Sequence, residues 1–240
     1  MKLFGSLPRK RPRCGAVIVA AGASRRMQGV DKIMAPLGGI PVIVHTIRAF
    51  EASPVIDEIV LVTRSALVEE LNGLAEKEGF QKVTAVVAGG QTRAESVQKG
   101  LMALHKKTVL AAVQDGARPL VTGEVIQEAV ERAYRCGAAA PAIPLKDTVK
   151  VVNDDGMVQS TPDRETLRAV QTPQVFDRDL LLAAWEKARQ EGKNCTDDCA
   201  AMEYLGKKVY LTQGSEENLK LTTPLDLLLA VEILKGRETL

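Results

Sequence analysis

The chain has 240 residues, of which 45% are hydrophobic and 3% aromatic, enough to bury one aliphatic core. Five cations precede residue 14, and the rest of the chain carries 27 basic against 30 acidic residues, a net charge near −3 that argues against binding to nucleic acid. No apolar run reaches the ~18 residues of a membrane span. We therefore expect a cytoplasmic protein with no membrane partner, consisting of a flexible basic leader (1–13) and a single domain (14–240).

Apolar, β-branched runs alternate with segments of helical periodicity along the first 143 residues. Strands are predicted at residues 16–19, 56–62, 83–87, 109–113 and 138–143. Helices are predicted at residues 41–52, 66–78, 93–104 and 123–135. This alternation is typical of an α/β fold with a mostly parallel sheet and helices on both faces.

Residues 145–170 interrupt the alternation with a polar, β-prone segment that has a turn signal at 153–156. The segment is predicted to be a protruding β-arm. Because a two-stranded ribbon is marginal in water on its own, we expect the arm to pack on a second subunit and form a homodimer. Beyond it, helices are predicted at 178–190 and 223–235, and short strands at 207–211 and 218–221.

The first predicted strand opens into a loop of small residues, Ala20, Ala21, Gly22, Ala23 and Ser24, where backbone N–H groups could approach a polyphosphate. Positive charge follows at Arg25, Arg26 and Lys32. The loop matches neither Gly-x4-Gly-Lys-Ser/Thr nor Gly-x-Gly-x-x-Gly. A tight turn followed by solvated arginines is the alternative interpretation.

Two further loops follow strands that end at the same sheet edge, where ligands bind in parallel α/β sheets. In the first, Gly90 and Gln91 precede a helix that carries Ser96, a pattern that could recognise a nucleobase, although it also fits an ordinary turn. In the second, Asp115 is suited to hold Mg²⁺ on a triphosphate, or only to cap a turn. Arg118 would pair with Asp115 or clamp a second anion.

Polar groups near the base of the arm suit a small phosphorylated polyol; these are Arg164, Thr172 and Thr196. Lys220 lies in the predicted strand 218–221, from which its charge could reach the triphosphate. A plain surface lysine is the alternative.

Taken in order, the motifs resemble one family. They are Ala20-Ala-Gly-x-Ser-x-Arg-Met27 with Lys32, Gly89-Gly-x-x-Arg-x-x-Ser96, Asp115-Gly-Ala-Arg-Pro119, Pro144-Leu-Lys-Asp-Thr148, Asp163-Arg164, Gln171-Thr-Pro-Gln174 and Asn218-x-Lys-x-Thr222. The set resembles the 2-C-methyl-D-erythritol 4-phosphate cytidylyltransferases, which join CTP to methylerythritol phosphate in non-mevalonate isoprenoid synthesis. The resemblance covers nearly everything after the leader.

The resemblance implies a Rossmann-like fold of the nucleotide-diphospho-sugar transferase type with an interlocking β-arm, and a role for each matched residue. The implied catalytic cations are Arg26, Lys32 and Lys220, and the implied Mg²⁺ ligand is Asp115. The implied nucleotide-binding residues are Ala20, Ala21, Gly22, Gly90, Gln91 and Ser96. The implied methylerythritol phosphate site, partly across a dimer interface, comprises Arg118, Asp147, Thr148, Arg164, Thr172 and Thr196.

The chain departs from the family pattern at three positions. Gln91 stands where the family often has Asp, Asp31 where Pro is frequent, and Asp198 where Glu is usual. An amide can donate and accept, so Gln91 could still recognise cytosine, with less secure base selectivity. Three alternatives stay open at this point: a ribitol-5-phosphate cytidylyltransferase, a guanylyltransferase of molybdenum cofactor synthesis, and a CTP-sensing module without catalysis.

Overall fold

The computed structural model describes residues 11–22 and 31–238, in which twelve strands and seven helices alternate. The strands are β1 (Cys14–Val19), β2 (Pro36–Leu37), β3 (Ile40–Pro41), β4 (Glu58–Thr63), β5 (Val83–Ala88), β6 (Leu110–Asp115), β7 (Ala138–Pro144), β8 (Val151–Val152), β9 (Val158–Ser160), β10 (Arg168–Val170), β11 (Gln174–Asp177) and β12 (Tyr210–Gln213). The helices are α1 (Val42–Ala52), α2 (Val68–Lys77), α3 (Arg93–Ala103), α4 (Gly123–Cys136), α5 (Arg178–Gln190), α6 (Asp198–Tyr204) and α7 (Pro224–Glu238).

Eight strands form the central sheet: seven follow the order β10-β7-β11-β6-β1-β4-β5, and β12 also pairs with β7, in parallel. Strand β1 is parallel to both β4 and β6, and β5 is parallel to β4, whereas β10 and β11 run antiparallel to their neighbours. The predicted mostly parallel α/β sheet is therefore confirmed. Antiparallel β11 was not predicted, because its four residues follow the arm without a distinct apolar run.

The core lies on both faces of the sheet, as the near-continuous apolar strands β1, β4 and β6 require. On one face, Ile18, Ile59 and Ala112 pack against helices α1, α2 and α4. On the other face, Val17 and Val60 pack against helices α3, α5 and α6. The predicted helices on both faces are confirmed, and the parallel strands present their carboxyl ends at one edge.

Three loops leave that edge side by side. The register places Val19 opposite both Val62 and Asp115, and Thr63 opposite Ala88. Backbone hydrogen bonds continue the alignment past the strands, since the amide of Gly116 donates to the carbonyl of Val19 at 2.9 Å. The predicted convergence of the loops after β1, β5 and β6 is thus present.

The predicted arm contains the hairpin β8–β9. Asn153 and Met157 close its turn by a backbone hydrogen bond of 3.0 Å, and Gly156 has a φ of +80°, which glycine adopts without strain. Its last predicted residues belong elsewhere, because Arg168–Val170 pairs with β7 in the central sheet. The boundary at residue 170 is therefore too late.

The end of the basic leader is attached to the domain. Arg11 donates to both carboxylate oxygens of Asp57, at 2.7 and 3.0 Å, and Arg13 lies 3.4 Å from the carboxylate of Glu58. These contacts attach Arg11 and Arg13 to the domain. Residues 1–10 lie outside the described residues.

The predicted strand at residues 218–221 is wrong. This segment is irregular, and its polar groups bond to loops and side chains instead of a neighbouring strand: the amide of Leu221 donates to the carbonyl of Ala117 at 2.8 Å, and the Asn218 side chain donates to the carbonyl of Thr172 at 3.0 Å. The predicted strand at 207–211 begins later, at Tyr210.

Candidate active site

A cavity of about 460 Å³ opens at the carboxyl edge of the sheet, between the loops after β1, β5 and β6. Nine of the residues to which the family resemblance gives a role line it: Ala20, Ala21, Gly22, Lys32, Gly90, Gln91, Ser96, Asp115 and Lys220. Arg26 lies outside the described residues. The lining therefore combines small residues with charged groups.

Asp115, the last residue of β6, is the centre of the charged wall. Its Oδ2 lies 3.0 Å from Lys220 Nζ and 3.4 Å from Arg118 Nε. The carboxylate is almost buried, whereas the lysine side chain is 42% exposed, so the pair sits at the boundary between protein and cavity. One carboxylate thus faces two cations, which leaves net positive charge for an anionic ligand.

The charge of Asp115 is stabilised by these neighbours. Burial alone would raise the pKa of this carboxyl group, but Lys220, Arg93 and Arg118 together lower it below its ordinary value. Asp115 is therefore ionised at neutral pH.

Lys220 reaches the cavity from an irregular segment that is fastened at several points. Asn218 is fully buried, its carbonyl accepts from Arg118 Nη1 at 2.6 Å, and its side chain amide donates to Gln171 Oε1 at 3.3 Å. These contacts fix the backbone two residues before Lys220. The loop after β6 and the segment that carries the lysine are therefore held as one unit.

The loop after β5 is built for close approach. A Cβ on Gly89 would lie 2.6 Å from the Ala21 Cβ, so only glycine permits the first and second loops to touch. Ser96 Oγ accepts from the amide of Gly90 at 3.1 Å and donates to the carbonyl of Thr92 at 2.9 Å. Ser96 thus braces the loop from inside, and Gln91, next to it, is exposed at the cavity.

The turn that carries Lys32 is anchored through Asp31. Asp31 begins this turn: its carbonyl accepts from the amide of Ala35 at 2.8 Å, and its carboxylate forms an ion pair with Arg64, just after β4. The departure from the family pattern at position 31 therefore has a structural function, since it ties the end of the first loop to a neighbouring strand.

The residues expected to bind the second substrate separate into three groups. Thr172 is buried beside the cavity and accepts from the amide of Asp115 at 3.1 Å, and Arg118 lies close by. Thr196 lines a neighbouring cavity of about 350 Å³, which shares Thr92 and Arg93 with the first.

The third group lies at the base of the arm. Asp147, Thr148 and Arg164 are exposed and line neither of these cavities. Arg164 Nη1 donates to the carbonyl of Lys146 at 2.8 Å, which orients the guanidinium along the arm. Within one copy of the chain these three side chains are not brought to Asp115.

Comparison with known proteins identifies the family. The family model for 2-C-methyl-D-erythritol 4-phosphate cytidylyltransferase matches residues 14–236. The chain belongs to this family. A protein of that name from Desulforamulus reducens is 49% identical, with 92% of this chain and 96% of the relative covered. A second, from Dehalococcoides mccartyi, is 44% identical, with 93% and 96% covered.

Solved structures of cytidylyltransferases of this family have the same fold. The 4-diphosphocytidyl-2C-methyl-D-erythritol synthase from Anaerococcus prevotii superposes with a TM-score of 0.84 at 31% identity, covering 93% of this chain and 96% of that one. The cytidylyltransferase from Thermus thermophilus gives 0.73 at 30% identity, covering 91% and 98%. Each of these relatives and solved structures is named for methylerythritol, which favours this family over the ribitol phosphate and molybdenum cofactor alternatives.

The cytidylyltransferase site contains one charged residue to which the sequence reasoning gave no role. Arg93, the first residue of α3, lines both cavities, and its Nη2 donates to Asp198 at 2.7 Å. Arg93 belongs to the Gly89–Ser96 motif, so the sequence already pointed to this position. Its partner lies 105 residues away in sequence, and only the fold brings the two together.

A magnesium ion fits this site on condition that the nucleotide supplies most of its ligands. Among the described residues no three His, Cys, Asp or Glu side chains cluster as a metal site. Asp115 offers one ionised carboxylate at the cavity wall, and Mg²⁺ in nucleotide enzymes is commonly held by one or two carboxylates together with phosphate oxygens and water.

Among the helices that the structure describes, none combines the length and the hydrophobicity that a membrane span requires.

Proposed function

We propose that the protein transfers the cytidylyl group of CTP to 2-C-methyl-D-erythritol 4-phosphate and releases pyrophosphate, a step of non-mevalonate isoprenoid biosynthesis. Family membership over residues 14–236 supports the reaction. The observation that carries the assignment in the structure is the Asp115–Lys220 pair at the wall of a cavity made by three small-residue loops. That arrangement suits a nucleotide whose triphosphate meets fixed positive charge.

The chemistry needs positioning and cations more than proton transfer. A phosphate oxygen of methylerythritol phosphate attacks the α-phosphorus of CTP, and the bond from that phosphorus to the oxygen bridging to the β-phosphate breaks. Because the attacking phosphate is already an anion, no protein base is required. Lys32, Lys220 and Arg26 would stabilise the charge that accumulates at the α-phosphorus.

The nucleotide would lie with its base against the loop after β5 and its phosphates toward Asp115. Gly90 and Gln91 line the cavity on this side, and Gln91 offers an amide to the polar edge of the base. Mg²⁺, held by Asp115 and the phosphate oxygens, would neutralise the triphosphate and assist the departure of pyrophosphate. Lys220 would then change partner, from Asp115 to the phosphates, when nucleotide and metal bind.

A homodimer would complete the second-substrate site. Asp147, Thr148 and Arg164 are exposed at the base of an arm whose hairpin also exposes apolar side chains, with 51% exposure at Val152 and 54% at Val158. Packing of this ribbon on a second copy would bury those side chains and could carry Arg164 to the partner's cavity. We further expect a cytoplasmic enzyme.

The assay that tests the proposal measures pyrophosphate release with Mg²⁺. CTP, ATP, GTP and UTP are each offered with methylerythritol 4-phosphate and, in parallel, with ribitol 5-phosphate. Release with CTP and methylerythritol phosphate alone is expected. Preference for ribitol phosphate would move the protein to the alternative cytidylyltransferase, and tight CTP binding without release from any pair would indicate a sensing module.

A further inference from the structure

Asp198 is a fully buried carboxylate that lines neither cavity. Its Oδ2 accepts from Arg93 Nη2 at 2.7 Å, and its Oδ1 accepts from the indole Nε1 of Trp185 at 2.9 Å. Each carboxylate oxygen therefore has one strong donor, from a different helix. The first residue of α6 is thereby tied to the first residue of α3 and to the middle of α5.

The segment just before α6 is held from a third side. Gln174, in β11, accepts with Oε1 from the amides of Asp198 and Cys199, both at 3.1 Å, and donates with Nε2 to Asp197 Oδ2 at 2.8 Å. Thr196 is the next residue toward the amino terminus. The position of Thr196 is thus set by two successive aspartates whose side chains are both engaged.

A contribution to the stability of the fold does not by itself explain the buried pair of Asp198 and Arg93. Burial raises the pKa of Asp198 above its ordinary value despite the charge of Arg93, which means that the ionised carboxylate is costly to hold there. Arg93 uses one nitrogen of its guanidinium, and its buried Nη1 has no hydrogen-bond partner among the described residues. Apolar side chains of similar volume commonly replace buried ion pairs without loss of stability.

The cluster instead connects the two substrate regions. Arg93 is two residues beyond Gln91 in the nucleotide-binding loop, and Asp198 is two residues beyond Thr196. Arg93 also forms part of the wall shared by the two cavities. A shift of Asp198 would therefore move Thr196 relative to the nucleotide loop.

We propose that Asp198 is a positioning residue for the second substrate, which acts through Thr196 and takes its own position from Arg93 and Trp185. The inference rests on the proposed function, because Thr196 belongs to the methylerythritol phosphate site that the family resemblance implies. Asp198 itself touches neither substrate. Its removal should impair use of methylerythritol phosphate while leaving the affinity for CTP intact.

The central variant is Asp198→Asn, which keeps the shape and an oxygen for Trp185 but removes the charge that holds Arg93. We expect kcat/KM for methylerythritol phosphate to fall by about 100-fold, the cost of a small misplacement of a binding group, with an unchanged KM for CTP. Glu203→Gln is the matched control, since Glu203 is an exposed acid on the same helix. It should leave both constants unchanged.

Trp185→Phe provides a second variant in case Asp198→Asn does not fold. It removes the indole donor and retains an aromatic ring in α5, so the same split between the substrates is expected, at smaller size. Because Trp185 is the only tryptophan of the chain, its fluorescence in the wild-type protein reports on this cluster. Methylerythritol phosphate should change the emission of the wild type, a response that a merely structural tryptophan would not give.

The possible results separate the two proposals. If the wild type turns over CTP and methylerythritol phosphate but both variants keep wild-type constants, the inference is overturned and the proposed function stands. Equal losses toward CTP and methylerythritol phosphate would overturn it as well, because they indicate a general defect of the fold. Absence of turnover by the wild type with either acceptor would instead overturn the proposed function.

Discussion

At the scale of single residues, we expect Lys220 to exchange its ion-pair partner, Asp115, for phosphate when the nucleotide binds. In the free protein the lysine is paired with a nearly buried carboxylate at 3.0 Å. A nucleotide with its metal would offer Lys220 phosphate oxygens and Asp115 a new positive partner. The exchange would give each charge a new partner, which avoids leaving a buried charge uncompensated.

Replacement of Lys220 by methionine should therefore affect the chemical step more than binding. We expect kcat to fall about 100-fold or more, as when one preorganised donor to a transition state is removed, with a small change in CTP affinity. Single-turnover kinetics and equilibrium binding of CTP measure the two quantities. The control is Lys208→Met, an exposed lysine remote from the cavity; a loss confined to CTP affinity would assign Lys220 to simple recognition.

The lowered pKa of Asp115 also predicts how the free energy of unfolding depends on pH. Its pKa is lowered in the folded protein, so its contribution to the free energy of unfolding is present above the ordinary carboxyl pKa of about 3.9. The contribution is lost as the pH falls through the lower folded-state value. Removing one partner of a fully buried pair typically costs about 3 kcal/mol, and the cost is smaller here because the Lys220 side chain is 42% exposed.

The test compares the urea-unfolding free energies of the wild type and Asp115→Asn from neutral pH downward. The variant should be less stable at pH 7, and the difference should shrink in acid, where the wild-type carboxylate takes up its proton. A difference that does not vary with pH would show that ionisation of Asp115 does not contribute. Residue chemistry of this kind was predictable in part: the motifs point to Asp115, but not to Lys220 as its partner.

At the scale of elements, the strands and helices before residue 144 follow directly from the sequence. All six residues of a strand such as β4 are buried, so its sequence is a nearly continuous apolar run. A helix that buries one face does not require such a run. The helix α3 is signalled by Thr92, whose side chain accepts from the Glu95 amide and caps the helix. The observed ends of these elements differ from the predicted ends by one or two residues where capping contacts determine the end.

Later elements were harder because their partners are distant in sequence. Residues 218–221 alternate polar and apolar side chains as a strand would, yet Asn218 bonds to Gln171 and the carbonyl of Thr172, about 46 residues earlier. The alternation arises because apolar residues such as Leu221 are buried while Lys220 is partly exposed. The periodicity of the sequence reflects this alternation in burial. It cannot distinguish a segment hydrogen-bonded to a neighbouring strand from one held by side-chain hydrogen bonds.

The turn that carries Lys32 provides a prediction at this scale. Because Asp31 and Arg64 join this turn to the end of β4, Arg64→Ala should loosen the approach of Lys32 to the substrate phosphates. We expect kcat to fall about tenfold, given that misplacement of a catalytic group by 1 Å can cost about 100-fold. Arg64→Lys, which keeps the charge, should recover most of the rate.

Steady-state kinetics on four proteins decide this prediction: the wild type, the two variants and Arg48→Ala. The last breaks another arginine–carboxylate pair, with Glu78, outside the residues that line the cavity. Equal rates for Arg64→Ala and Arg48→Ala would refute a positioning role for Asp31 and Arg64.

At the scale of the whole molecule, the arm is the feature that a single copy leaves unexplained. Its hairpin exposes apolar side chains, and its base carries three residues that the family resemblance assigns to the second substrate but that lie outside the cavity. The sequence predicted a hairpin from the turn at 153–156. It could not locate the arm's contacts, since in the proposed dimer these are made with a second copy.

Sedimentation of the wild type at micromolar concentration is expected to give a dimer. Val152→Asp combined with Val158→Asp should shift it to a monomer with strongly reduced activity, because Arg164 would no longer reach a partner's cavity. Met102→Asp is the control, since it adds charge at another exposed apolar position, on α3. A fully active monomer, of either the wild type or the arm variant, would refute the dimeric site.

The central claim is that the phosphate of methylerythritol phosphate attacks the α-phosphorus of CTP in a cavity organised by Asp115 and Lys220. The most direct test places heavy oxygen in the phosphate of methylerythritol phosphate and follows the label by phosphorus NMR and mass spectrometry. All the label should remain in the 4-diphosphocytidyl-2-C-methyl-D-erythritol product, including the bridge between its two phosphorus atoms, and none should enter pyrophosphate. Label in pyrophosphate, or no labelled diphosphate product, would contradict the account.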